Sequence, residues 1–277
     1  MTGRSLALGL VGHPVHHSLS PRLQHACAAS LGIPLRYDLF DVPPASLGRW
    51  FEGPARALDG FNVTAPHKAD VARRVEALGP EAARLGAVNT VVREAGRWVG
   101  HNTDLFGFVQ LLGGAPRGPA LVLGAGGAAR AAVAGLADQG FEVQVTARTP
   151  DRAERLLARL GVPGAVVALA GVEAALSRCV VVVDAIGPPG AAWVVALPWA
   201  RLPAEGRVLC LAYGDGARPV VEAVRAAGRG AADGRAMLAW QGIEALRHWT
   251  GRRADAQVAL AAVGLDEDRR APTAREV

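Results

Sequence analysis

The strongest constraint on the fold is a strand-to-helix junction near the middle of the chain. Ala120–Leu123 is a short apolar run, followed at once by Gly124-Ala125-Gly126-Gly127-Ala128-Ala129 and a small-residue helical pattern to Gln139-Gly140. This is the Gly-x-Gly-x-x-Ala form of the dinucleotide fingerprint. Gly124 allows a tight turn, Gly126 lets a pyrophosphate approach the backbone, and Ala129 lets the helix lie close to the strand. The bare string is weak in a chain with 34 glycines. Its setting is not, because a second strand, Glu142–Thr146, follows at the expected distance.

That second strand runs into Ala147-Arg148-Thr149-Pro150-Asp151-Arg152. An acid at the strand end would bind the two ribose hydroxyls of NAD, whereas arginine suits the 2′-phosphate of NADP. Arg148 and Arg152, with no acid at the strand end, favour NADP. Further apolar strands at Val180–Asp184 and Arg207–Tyr213, with a helix at Pro219–Ala227, predict a doubly wound parallel sheet. Gly113 to Pro119 reads as a linker.

The N-terminal half carries a different polar set. Lys68 is the only lysine; every other basic residue in the Lys+Arg count of 30 is arginine. Arginine stays charged, whereas lysine can give up and regain a proton, so a lysine kept at one position points to proton transfer. It follows the predicted strand Phe61–Thr64, beside Asn62, Thr64 and Pro66, and precedes a predicted helix over Ala69–Ala77. Leu6–Val11 is a predicted buried strand, and Gly32–Phe40 another. Ser18 and Ser20 stand at the start of a predicted helix, with Ser20 as N-cap and Pro21 in the first turn. Two hydroxyls beside free backbone N–H groups suit a carboxylate. Asn89, Thr90, Asn102, Thr103 and Asp104 form a dense group of short polar side chains at element ends, suited to a polyhydroxylated ligand. Met237–Thr250 is a predicted amphipathic helix carrying Gln241. A last helix is expected near Asp255–Val263, then a frayed tail over Asp266–Val277.

Composition narrows the function classes. The net charge of +5 comes from scattered arginines with few aromatics, which argues for anionic small molecules over nucleic acid. Cys27, Cys179 and Cys210 are far apart and odd in number, fitting a reducing cytoplasm. No metal-ligand spacing appears around His16-His17, and no apolar run approaches membrane-spanning length.

Six segments, in this order, resemble the shikimate/quinate dehydrogenase family almost end to end. They are Gly12–Pro21, Asn62–Lys68, Gly86–Thr90, Asn102–Asp104, Gly124–Ala129 and Met237–Gly242. The resemblance implies an α/β chain with an N-terminal substrate domain over residues 1–104, completed by C-terminal helices within 237–277. A Rossmann-type NADP domain would cover residues 105–236, with the cleft between the two. The implied reaction is NADPH-dependent, reversible reduction of 3-dehydroshikimate to shikimate, without metal, membrane or nucleic acid, by a monomer or homodimer. Lys68 and Asp104 would be the catalytic pair. Ser18 and Ser20 would meet the substrate carboxylate, with Tyr213 nearby, and Thr64, Asn89, Asp104 and Gln241 would hold the ring hydroxyls. Cofactor contacts would come from Gly124, Ala125, Gly126, Gly127, Ala128, Ala129, Arg148, Thr149, Arg152 and Met237.

The chain departs from the family pattern mainly in the cofactor half. Ala147 stands in place of the Asn of Asn-Arg-Thr, and Asp184-Ala185-Ile186 in place of Asn-Ala-Thr. Cys210 and Asp215 occupy the two ends of the stretch where the family shows Asp-x-x-Tyr-x-Pro, and Ala26 follows His25 where Asn is common. These changes bear on cofactor affinity and preference. Two rival expectations follow: a relative that also oxidises quinate or uses NAD, and a non-catalytic NADP(H)- or metabolite-binding relative.

Overall fold

Parallel strands buried on both faces read as unbroken apolar runs, and Leu6–Gly12 (β1) is such a run, its last five residues buried. The computed structural model describes residues 4–187 and 190–265. The expected tail over 266–277, and Pro188 and Pro189, lie outside them. The described chain forms two compact units: residues 4–107 with 238–265, and residues 108–187 with 190–237.

In the first unit β1 is followed by α1 (Ser20–Ser30), β2 (Leu35–Asp41), α2 (Leu47–Glu52) and β3 (Gly60–Val63). Then come α3 (Lys68–Ala72), β4 (Ala77–Leu78), α4 (Pro80–Leu85), β5 (Thr90–Glu94), β6 (Arg97–His101) and α5 (Asp104–Leu112). The sheet order is β2-β1-β3-β5-β6-β4. β1 runs parallel to β2 and β3, whereas β3–β5 and β5–β6 are antiparallel. The hairpin β5–β6 turns at Ala95 and Gly96, both at positive φ, which suits the right-handed strand twist. Trp50, Phe51, Phe61 and Trp98 pack edge to face, with ring centroids 5.0–6.4 Å apart. Each such pair adds about 0.5–1.5 kcal/mol beyond burial.

The second unit begins with β7 (Pro119–Leu123), α6 (Gly127–Asp138), β8 (Glu142–Thr146), α7 (Pro150–Leu160) and β9 (Gly164–Val166). It continues with α8 (Val172–Leu176), β10 (Val181–Asp184), α9 (Ala191–Val195), β11 (Arg207–Cys210), α10 (Arg218–Ala226) and β12 (Gly230–Ala232). Every strand pair is parallel, in the order β12-β11-β10-β7-β8-β9. This is the doubly wound arrangement expected from the fingerprint, with the order reversing between β7 and β10.

Helices α11 (Arg235–Thr250) and α12 (Ala256–Ala262) bring the chain back to the first unit. Leu23 and Cys27 of α1 share one buried cluster with Ala239, Ile243 and Leu246 of α11 and Ala259 and Ala262 of α12. Burying a Leu or Ile there stabilises by about 1.5–3 kcal/mol. Gly242 permits the contact, since a Cβ at that position would stand 2.5 Å from Leu23 Cδ2. Asp255 caps α12, accepting the N–H groups of Gln257 and Val258.

Two local expectations are corrected. Ser20 is not the N-cap of α1 but its first residue, and Leu19 holds the cap position. The helix after Lys68 ends at Ala72, not Ala77, because Ala77 and Leu78 pair with Val99 and Gly100 of β6.

Candidate active site

The centre of the first unit is a carboxylate fixed by its own helix cap. Asn102 Oδ1 accepts the backbone N–H groups of Asp104 at 3.0 Å and Leu105 at 3.3 Å. Its Nδ2 donates to Ala87 O at 2.8 Å. Asp104 is thereby set as the first residue of α5, with 5% exposure. Lys68, the first residue of α3, donates from Nζ to Asp104 Oδ2 at 2.7 Å. Asn89 Nδ2 donates to the other oxygen, Oδ1, at 2.8 Å. The Lys68 side chain keeps 20% exposure against 7% for Asp104, so the ammonium is the more open end of the pair.

Asn89 is the hub behind this pair. Its Oδ1 accepts Thr103 N–H at 2.8 Å and Thr90 Oγ1–H at 3.1 Å. Its Nδ2 also lies 2.9 Å from Thr103 Oγ1 and 3.2 Å from Gln241 Oε1. Gln241 Nε2 donates to Leu238 O at 3.0 Å. One layer deeper, Asn62 Nδ2 donates to Asn89 O and Thr90 Oγ1, while Tyr37 O–H donates to Asn62 Oδ1 at 2.7 Å. A buried polar network of this kind holds its members in one geometry. It brings together Lys68, Asp104, Asn89 and Gln241, four residues singled out from sequence. Tyr37 was missed: it sits alone in a strand pattern with no motif around it.

The other expected substrate residues of this unit lie on the neighbouring loops. Ser18 Oγ accepts the N–H of Ser20 at 3.2 Å, so Ser18 rather than Ser20 satisfies a free donor at the start of α1. Ser20 is buried and Ser18 half-buried. Thr64 follows β3, its N–H bound to Val11 O. The loops carrying Ser18 and Thr64 meet where His13 N–H donates to Ala65 O at 3.0 Å. His67, beside Lys68, is a core histidine: it is fully buried and donates from Nε2 to Val42 O at 2.6 Å.

In the second unit the fingerprint adopts the turn that its glycines require. Gly124 has φ +110°, and a Cβ there would stand 3.1 Å from Ala185 O. Ala125 and Ala128 are half-buried beside it and Ala129 is fully buried. Gly126 caps α6 with no side-chain hydrogen bond, so backbone N–H groups at this helix start are available to an anion. A Cβ on Gly126 or Gly127 would meet no atom within 4 Å, leaving space over the turn. Arg148, Thr149 and Arg152 are exposed at the start of α7. These residues fit a phosphorylated dinucleotide. Met237 is buried, and Tyr213 follows β11; both belong to the second unit. Asp184 ends β10 with 3% exposure, its Oδ1 accepting Ile186 N–H at 3.0 Å. Burial pushes its carboxyl above the ordinary range, against the pull of the Ile186 and Gly187 N–H groups. Among the described residues, no group of three or more His, Cys, Asp or Glu is placed to hold a metal ion.

The chain is similar to known proteins along most of its length. The sequence profile of the shikimate dehydrogenase substrate binding domain matches residues 10–91. That of shikimate / quinate 5-dehydrogenase matches residues 112–192, and that of the shikimate 5′-dehydrogenase C-terminal domain residues 234–263. A shikimate dehydrogenase (NADP(+)) from Thermus thermophilus is 40% identical over 251 residues, covering 89% of this chain and 93% of its own. The chain belongs to the shikimate dehydrogenase family. A second member, the shikimate dehydrogenase (NADP(+)) of an Anaeromyxobacter species, is 40% identical over 265 residues, covering 92% of this chain and 94% of its own. Among solved structures of the family, the Thermus thermophilus shikimate 5-dehydrogenase in complex with NADP(H) and shikimate superposes with a TM-score of 0.82. It has 37% identity and covers 93% of this chain and 98% of its own. Among the described residues no helix is long and apolar enough to cross a membrane.

Proposed function

We propose that this chain is an NADP-dependent shikimate dehydrogenase, reducing 3-dehydroshikimate reversibly to shikimate. The first unit acts as the substrate domain and the second as the NADP domain. The observation that carries this reading is the Lys68–Asp104 pair, braced on its second oxygen by Asn89. NADPH, when bound, supplies the hydride for the C3 carbonyl. Lys68 stabilises the charge that develops on the carbonyl oxygen and delivers the proton to it from Nζ. Asp104 keeps the ammonium aimed. Asn89, Thr64 and Gln241 orient the ring hydroxyls, and Ser18 and Ser20 take the carboxylate. The Gly124–Ala129 turn takes the pyrophosphate, Arg148, Thr149 and Arg152 the 2′-phosphate, and Met237 packs on the cofactor.

An intact, hydrogen-bonded Lys68–Asp104 pair favours catalysis over a binding role without turnover, which would not need it. Three buried, unpaired cysteines support a reducing compartment, where we place the enzyme as a monomer or homodimer. The test is the growth of reduced-nicotinamide absorbance with shikimate or quinate, each with NADP or NAD. Shikimate with NADP should give the largest kcat/KM. No shikimate-dependent reduction of either cofactor would overturn the reading, and a quinate rate above the shikimate rate would reassign the substrate.

A further inference from the structure

Asp184 is an acid where the fold offers it little help. It is the last residue of β10, in register with Leu123 at the end of β7 and with Cys210 on β11. Sheet order reverses between β7 and β10, and in doubly wound folds ligands bind beyond the strand ends at that reversal. The loop after Asp184 touches the fingerprint directly. Ala185 N–H donates to Leu123 O at 2.9 Å, and a Cβ added at Gly124 would stand 3.1–3.2 Å from the Ala185 carbonyl and the Ile186 side chain.

The groups facing this carboxyl are neutral or acidic. Leu123 is apolar, and the Cys210 thiol is pushed up to about 12, chiefly by burial and then by Asp184 and Asp233, so it stays neutral at working pH. Asp233 adds a second acid in this region and is itself paired with Arg235. Compensation for Asp184 comes from the backbone N–H groups of Ile186 and Gly187, with no cation contributing.

We propose that Asp184 couples cofactor binding to proton uptake, being protonated when the chain holds NADP(H) and ionised more readily when it does not. The inference rests on the assignment of NADP to the second unit. A phosphorylated dinucleotide brings several negative charges to the strand ends where Asp184 lies, and like charges disfavour the ionised carboxyl. The affinity is then greatest below the pKa of the free protein. It falls as pH rises through the free and then the bound pKa, and levels off above both. Each unit between those two values is about tenfold in affinity. Protonation leaves the loop in place, since a neutral carboxyl still accepts the Ile186 N–H.

Asp184→Asn mimics the protonated form, and its amide oxygen can take the same hydrogen bond. The test is the dissociation constant of NADP+ for wild type and Asp184→Asn, by intrinsic tryptophan fluorescence, from about pH 4, near the ordinary carboxyl value, to about pH 9. Titration of the 2′-phosphate affects both proteins alike and cancels in their ratio. We expect similar constants at the acid end and binding about tenfold tighter in the variant at the alkaline end. A ratio that stays flat with pH, with both proteins binding NADP+, overturns this inference alone. No NADP+ binding by the wild type at any pH overturns the cofactor assignment and this inference with it. Calorimetry of both proteins in two buffers of different ionisation enthalpy gives a second reading. Greater net proton uptake by the wild type than by Asp184→Asn over the range where affinity falls supports the coupling, and equal proton exchange by the two overturns it.

Discussion

Asn102 Oδ1 accepts the backbone N–H of Asp104 at 3.0 Å, so the residue two before the carboxylate fixes where the carboxylate stands. The same amide holds Ala87 O, two residues before Asn89, the other partner of Asp104. One buried side chain therefore sets both neighbours of the Lys68 contact. Asn102→Ala should cost about 1–2 kcal/mol of stability, the usual effect of losing a helix cap. It should also lower kcat more than it raises KM, because the pair is misaligned while the substrate contacts remain. Urea titration and steady-state kinetics check both. Unchanged kcat in a folded variant would show that the cap does not position Asp104.

The Lys68–Asp104 contact itself separates charge from chemistry. Guanidinium retains the charge but is bulky, planar and not deprotonated. Lys68→Arg should fold and still lose roughly two to four orders of magnitude in kcat. Lys68→Met leaves Asp104 buried and unpaired, and removing one member of a buried ion pair costs up to about 3–5 kcal/mol. That variant should therefore unfold at a lower urea concentration than wild type. Because the chain has a single lysine, amine acetylation offers a test without mutation: peptide mass spectrometry showing full acetylation of Lys68 with activity intact would sink the assignment.

How legible the molecule was in its sequence depended on whether the cause was local. The β7–α6 junction was readable because Gly124 and Ala129 answer to backbone geometry within a few residues. Lys68 and Asp104 were readable as residue types, and the 2.7 Å contact between them gives those types a geometry. Elements fixed by distant partners were not readable. Gly230–Ala232 has no β-forming side chain and becomes β12 only by pairing with β11. Ala77 and Leu78 continue a helical pattern, yet β6 takes them as a strand. Ser20 has good N-cap chemistry, but the chain enters α1 one residue earlier and Ser18 takes over the free N–H. Tyr37 supports Asn62 from β2, a contact between strands that no sequence spacing announces.

Arg148 stands exposed just after β8, where a 2′-phosphate would be read. Losing a charge-assisted contact to phosphate is worth on the order of 1.5–3 kcal/mol, about ten- to a hundredfold. Arg148→Ala should raise the KM for NADP by that factor and leave the KM for NAD nearly unchanged. Equal effects on both cofactors would show that Arg148 does not read the phosphate.

Ser18 and Ser20 permit a test that spares the second unit entirely. Ser18 Oγ already satisfies the Ser20 N–H, so replacing Ser18 alone also removes a local hydrogen bond at the start of α1. The Ser18→Ala, Ser20→Ala double variant should raise the KM for shikimate while the NADP dissociation constant stays as it was. A shikimate KM within about twofold of wild type, under 0.5 kcal/mol, would place the carboxylate elsewhere.

The pH dependence of stability should show the mark of His248. Its ring stacks on that of His101, with centroids 4.1 Å apart and planes 28° from parallel. Burial, then His101 and Arg247, lower its pKa from the ordinary 6.5, while Glu244 and Glu81 oppose the change. A folded-state value below the unfolded one means that the unfolded chain takes up the proton first as pH falls. Stability from this site is therefore full above the unfolded pKa of about 6.5 and is lost on acidification through that value toward the folded one. His248→Gln removes the titration and leaves a polar side chain at the end of α11. Thermal melting from about pH 5 to about pH 8 should show the wild-type Tm falling more steeply with acid than that of the variant. Parallel curves would mean that the stacked pair is no source of acid instability, and that the His101–His248 contact tolerates the charge.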